Sequence, residues 1–189
     1  MVFTTRAKLV LKKYTPQWLF YAIRYTAGKT ILRLIPLLFK YRTAGFTKRT
    51  IKNVVYGKNR KFQIIIDPKN GYLDAQVYAL KLYESHIVHE FVANISGGDV
   101  CIDIGANIGH HTIIMSQCAG ATGKVFAYEP IPYIRKQMKE SLALNNITNV
   151  TIVPDALSDK EGVLHLYINK DNVAGSSFVN TSTSSTIPV

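Results

Sequence analysis

Asp103, Gly105, Asn107 and Gly109 fall within seven residues, in a stretch that reads VCIDIGANIGHHT from Val100 to Thr112. An apolar run followed by spaced glycines reads as a buried strand, a tight turn and the start of a helix. Turns of this kind hold either a dinucleotide pyrophosphate or a sulfonium cofactor, and the two ligands ask for different atoms. The dinucleotide fingerprint wants glycine at its first, third and sixth positions, the third so that the backbone can approach the pyrophosphate. Counted from Gly105, those positions hold Gly105, Asn107 and His110, so a side chain stands where the phosphate needs room. Asp103 adds a carboxylate at the strand end, which opposes a phosphate and attracts an ammonium group. Twenty residues past Gly109, Glu129 ends the next strand, where an acid can accept both hydroxyls of a ribose. That position serves NAD and S-adenosylmethionine alike. Asp103 and Asn107 decide for the sulfonium cofactor, whose amino-acid tail takes the place of pyrophosphate.

Other chemistry-bearing patterns are weaker. His86, His89 and Glu90 form His-x-x-His-Glu, whereas the zinc-protease pattern is His-Glu-x-x-His and no third ligand stands nearby, so no metal is expected. His110 and His111 lie at the start of the helix, beside the cofactor's methionine end, where packing is the simpler role. Ala27–Thr30 reads AGKT, but a Walker A loop needs glycine at position 23, which holds Ile23. Cys101 and Cys118 are the only cysteines, one in the apolar run and one near the helix end, and read as reduced, buried thiols. Asn-x-Ser/Thr triplets begin at Asn94, Asn146, Asn149 and Asn180, yet no cleavable signal peptide precedes them. The expected location is the cytoplasm.

The elements that must position the site follow from periodicity. Lys61–Gly71, KFQIIIDPKNG, reads as a strand ending in a turn at Asp67–Gly71, and residues 72–95 continue without Gly or Pro as one helix. A strand near 99–104, a helix near 109–118, the strand KVFAY, a helix over 132–145 and the strand VTIV come next. Ile134, Met138 and Leu142 mark the core side of the second of these helices. VLHLYI at 163–168 reads as a fourth, shorter strand, and the final STSSTIPV has low complexity and no periodicity. Strands alternating with helices of this length predict a doubly wound α/β sheet.

Charge is unevenly placed. Fifteen of the 23 Lys and Arg lie in residues 1–66, and the first acid is Asp67. A basic, amphipathic segment over 1–60 and a mildly acidic domain over 61–189 are expected. Between Tyr14 and Tyr41, apolar side chains such as Trp18, Phe20, Ile31 and Leu37 interleave with Arg24, Lys29 and Arg33, so no charge-free run spans a bilayer. Residues 14–42 suit a helix lying at an anionic membrane surface, or an N-terminal helix pair packed on the domain with its cations in solvent. Nucleic acid is not an expected partner, because no recognition motif accompanies the charge.

GDVCIDIGANIGHHTI, GKVFAYEP, LALNNITNVTIVPDALSDKEG and the upstream LYE together resemble the FkbM-type class I methyltransferases, from about Leu82 to Gly162. The resemblance implies a Rossmann-like sheet with S-adenosylmethionine as cofactor. Its methionine end is held by Asp103, Gly105, Ala106, Asn107 and Gly109, and its ribose by Glu129. Asp155 and Ala156 fall where the wider class contacts adenine, and Glu84 matches an acid that approaches the cofactor ammonium. The implied reaction is O-methylation of a hydroxyl on a sugar, lipid or polyketide-like acceptor, with no residue identified as the base. The family continues past Val189, so the resemblance also implies a sheet incomplete at its C-terminal side. The alternative is a truncated, non-catalytic cofactor-binding or interaction module.

Overall fold

The computed structural model describes residues 39–169, 173–176, 178 and 185–188. The chain divides into two units, Met1–Gly45 and Phe46–Val189. Of the first, residues 39–43 form a helical turn; the rest of the basic arm at 14–42 lies outside the described residues.

The second unit opens with a hairpin. Strand β1 (Thr50–Tyr56) pairs antiparallel with β2 (Arg60–Ile66), in register from Thr50↔Ile66 to Tyr56↔Arg60. Alternation turns Val54, Tyr56, Phe62, Ile64 and Ile66 into the core, each at most 2% exposed. The β1 strand lies in the stretch where cations masked its alternation in the sequence. After β2, Asp67 caps a short 3-10 turn (Pro68–Asn70) by accepting the Lys69 N–H, and Gly71 takes φ 87° to start α1 (Tyr72–Leu80). The single helix expected over 72–95 is two. Lys81 (φ 67°) and Glu84 (φ 45°) adopt left-handed backbone between α1 and α2 (Ser85–Asn94).

The central unit follows the expected order: β3 (Val100–Ile104), α3 (His110–Ala119), β4 (Lys124–Tyr128), α4 (Pro132–Leu144) and β5 (Val150–Val153). These strands form a parallel sheet of order β3-β4-β5, a Rossmann-like βαβαβ arrangement. Ile113 and Ile114 from α3 and Ile134, Met138 and Leu142 from α4 join one core with Ala127 and the hairpin. Burial of β3 differs from expectation. Asp103 faces the helices, while Val100, Ile102 and Ile104 are 64%, 58% and 66% exposed on the opposite face. Among the described residues β3 is an edge strand, and the described helices leave that face bare rather than sandwiching the sheet. The fourth expected strand, β6 (His165–Ile168), stands apart from the parallel sheet. It pairs antiparallel with β7 (Ser185–Pro188), a strand within the low-complexity end.

A polar stripe on α4 joins the hairpin to the central unit. Gln137, Ser141 and Asn145 recur every four residues and line the outer edge of β2. Gln137 donates to the Ile65 carbonyl (2.8 Å), Ser141 Oγ accepts the Ile65 N–H (3.1 Å), and the Asn145 amide both accepts from and donates to Gln63 backbone (2.8 and 2.6 Å). Gln137 also donates to Asp74 Oδ1 (2.8 Å), which accepts the Asp67 N–H too (2.7 Å), while Asn70 donates to Gln137 Oε1. Asp74 Oδ2 is buried without a partner, and burial pushes this carboxyl up from its ordinary 3.8 to about 6.

Candidate functional site

The site lies at the carboxyl ends of β3 and β4, where open parallel sheets bind their ligands. Three left-handed residues shape the turn after β3: Gly105 (φ 74°), Asn107 (φ 50°) and Gly109 (φ 84°). Gly105 and Ala106 both donate their N–H to the Tyr128 carbonyl (2.9 Å each), which pins the turn to the end of β4. Asn107 is one of the side-chain types that tolerates this backbone, and its Oδ1 accepts the Ile108 N–H (2.8 Å). A Cβ built on Gly105 meets no atom within 4 Å, so the backbone there borders open space. At Gly109 a Cβ would lie 2.7 Å from Met138 Cγ, which explains glycine at the helix start.

Glu129 is 4% exposed, and its two oxygens accept one backbone N–H each, from Asn107 and Ile131 (2.9 Å both). The carboxylate therefore bridges the two βα turns, and each oxygen retains a lone pair. Burial raises its pKa, opposed by those two amides and by Arg135. Arg135, which the sequence reading passed over, donates through Nη1 to the carbonyls of Glu129 (2.8 Å), Pro130 (2.6 Å) and Pro154 (3.4 Å). It ties the end of β4 to the end of β5. Just beyond, Asp155 is exposed and Ala156 half-buried.

Asp103 is 8% exposed and accepts the Thr112 hydroxyl at 2.6 Å. Its pKa is raised by burial, with Thr112 and His111 acting the other way. Glu84, the residue before α2, reaches the same place: its Oε2 lies 3.8 Å from His111 Nε2. Asp103, Glu84 and the turn are thus brought together around His111, while Glu129 lies one strand over and Asp155 at the far end of the row. His110 is core: it accepts the Tyr83 N–H (3.3 Å), and burial pulls its pKa down to about 3. His111 stacks on Tyr83 (5.6 Å, 27°), and its Nε2 is buried without a hydrogen bond. Two acids at this end of β3, with a turn whose backbone borders open space at Gly105, fit a small ligand end carrying a positive charge.

His89 and Glu90 point to solvent, and no group of three or more His, Cys, Asp or Glu among the described residues is placed to hold a metal ion. Cys118 is buried and Cys101 half-buried, both as free thiols. No helix among the described residues is long and apolar enough to cross a membrane.

No protein-family model matches the chain. Over 61 residues it is 30% identical to the protein-L-isoaspartate O-methyltransferase of Ignicoccus hospitalis, a match covering 32% of this chain and 29% of that protein. The chain thus matches under a third of the length of this curated relative. Among solved structures, it is similar to a SAM-dependent methyltransferase from Aquifex aeolicus (TM-score 0.35, 20% identity, 43% of this chain and 41% of that one). It is similar too to a SAM-dependent O-methyltransferase from Thermotoga maritima (TM-score 0.38, 17% identity, 61% and 58%). Likenesses this partial do not bear on individual residues, whose reading rests on the geometry above.

Proposed function

We propose that the chain is an S-adenosylmethionine-dependent methyltransferase of the FkbM type, acting on a hydroxyl of a sugar, lipid or polyketide-like acceptor. The observation that carries this reading is the gathering of Glu84 and Asp103 around one turn whose third position is Asn107, not glycine. Two carboxylates at this end of β3 suit an ammonium group and disfavour a pyrophosphate. When bound, S-adenosylmethionine supplies a methyl group already activated by its sulfonium.

The chain's own residues then have three tasks. Asp103 and Glu84 hold the amino-acid end, and the turn from Gly105 to Gly109 offers it open backbone. Glu129 accepts the ribose hydroxyls on its remaining lone pairs, held in place by the amides of Asn107 and Ile131. Asp155 and Ala156 border the adenine. Displacement at an activated carbon needs chiefly alignment, so rigid presentation accounts for most of the expected acceleration.

Calorimetric titration of the 189-residue chain with S-adenosylmethionine, S-adenosylhomocysteine and NAD tests the reading. The adenosyl ligands bind and NAD does not; tighter binding of NAD would overturn it. Glu129→Ala weakens the adenosyl ligands by about 1.5–3 kcal/mol through lost charge-assisted hydrogen bonds. The bare apolar face of β3 beside the loop favours a second reading, a binding module without catalysis. Methyl transfer to any hydroxyl acceptor would exclude it.

A further inference from the structure

We propose that His111, once protonated, competes as an internal cation with the ligand's ammonium group for Glu84 and Asp103, so that acidification weakens ligand binding. The inference rests on the proposed reading of the site and concerns a residue which that reading gives no task.

The geometry is specific. His111 Nε2 has no hydrogen-bond partner, is buried, and lies 3.8 Å from Glu84 Oε2. The ring cannot readily turn elsewhere. It stacks on Tyr83, meets Phe91 edge-on at 5.3 Å and 83°, and meets His110 at 5.3 Å and 68°. A neutral imidazole in this position leaves Nε2 unsatisfied. A protonated one gains an ion pair with Glu84 and an attraction to Asp103, the two acids that face it from the residue before α2 and from β3. His86 on α2 and His110 on α3 are the neighbouring histidines; His86 disfavours protonation of His111, and His110 is held uncharged by burial.

Burial holds the His111 pKa below its ordinary 6.5, while Asp103 and Glu84 pull it upward. The group is therefore neutral near pH 7 and takes up its proton as the solution is acidified. An ammonium brought to the same acids adds a like charge beside the ring and pushes that protonation further down. Ligand and proton are then mutually exclusive, and by linkage the affinity falls by up to about tenfold per pH unit below the titration of the free protein. Neutral His111 leaves both carboxylates to the ligand.

The test is a pH series of calorimetric titrations, from about pH 7.5 to about pH 5, on the full 189-residue chain and on His111→Gln. Two probes are used: S-adenosylhomocysteine, which carries the ammonium, and methylthioadenosine, which keeps adenine, ribose and sulfur but lacks the amino-acid end. The wild type loses affinity for S-adenosylhomocysteine progressively toward the acid end of the series, and none for methylthioadenosine. His111→Gln retains S-adenosylhomocysteine binding at about pH 7.5 and loses most of the pH dependence; what remains belongs to Asp103, whose carboxyl burial pushes up. His111→Phe, which preserves the stacking on Tyr83, gives the same flattening and replaces the Gln variant if that one folds poorly. An unchanged pH dependence in both variants would overturn the inference, as would an equal pH dependence for methylthioadenosine. Failure of both probes to bind at every pH would instead overturn the methyltransferase reading, and the inference with it.

Discussion

Replacing Asp74 by Asn should stabilise the fold at neutral pH and do progressively less as the solution is acidified. Asp74 is 1% exposed, its Oδ1 is fully used by Asp67 and Gln137, and its Oδ2 has no partner. Burial raises its pKa from 3.8 to about 6. The sign follows from proton binding. Below pH 3.8 both folded and unfolded chains hold the proton, and the group costs nothing. Between 3.8 and about 6 only the folded chain holds it, so stability falls as pH rises. Above that window the carboxylate is ionised in both states, and the full penalty is about 3 kcal/mol. About 1.4 kcal/mol of it develops between about pH 5 and pH 7.5. Asn keeps the acceptor facing Asp67 and Gln137 and cannot ionise. The advantage of Asp74→Asn over wild type should therefore grow by about 1.4 kcal/mol between those two pH values, whatever its own amide gains or loses. Urea denaturation of both proteins at both pH values measures this double difference. A difference within about 0.3 kcal/mol of zero, or one of opposite sign, would refute the reasoning.

Three further outcomes are expected. Gly109→Ala should cost about 2–4 kcal/mol in denaturant titrations, because it combines a φ of 84° with a contact 2.7 Å from Met138 Cγ; a cost below about 1 kcal/mol would show that the turn relaxes freely. Ile102→Lys places a charge at the middle of the bare apolar β3 face, the surface expected to draw copies of the chain together, and sedimentation velocity should show less self-association than wild type at equal stability; unchanged association would mean that this face does not bring copies together. Arg135→Ala unties the carbonyls of Glu129, Pro130 and Pro154 and should lower S-adenosylhomocysteine affinity about three- to tenfold, since it loosens the two loops that flank the ligand; undiminished affinity would make Arg135 a purely surface residue.

The central unit was legible because its signals are local. Alternation in KVFAY, the 3.6-residue spacing of Ile134, Met138 and Leu142, and the glycines of the turn each announce one element without help from the rest of the chain. What stayed hidden depends on distant partners. The apolar run of β3 implies burial on both faces, but burial is a property of neighbours, and those described cover one. Lys81 and Glu84 take left-handed backbone with no glycine to signal it, so the break between α1 and α2 carries no sequence mark. The same break delivers Glu84 to His111, which is why the resemblance could point to that acid while the residues alone could not. Gln137, Ser141 and Asn145 read as an ordinary solvent face of a helix, since nothing in their spacing distinguishes water from a strand edge.

That stripe has a consequence for how the molecule opens. The amides of Gln63 and Ile65 donate to side chains of α4 and of Asn145, its C-cap, not to another strand. They can exchange with solvent only when α4 lifts away or the hairpin separates from it. Their exchange rates thus report the docking of α4 itself, whereas the amides that β2 directs toward β1 report the hairpin. Equal protection of the two sets would mean that hairpin and central unit unfold together, as one cooperative block. Faster exchange at residues 63 and 65 would reveal a partly open form in which the hairpin persists, β2 is bare along one edge, and the glycine turn has lost the helix against which Gly109 packs.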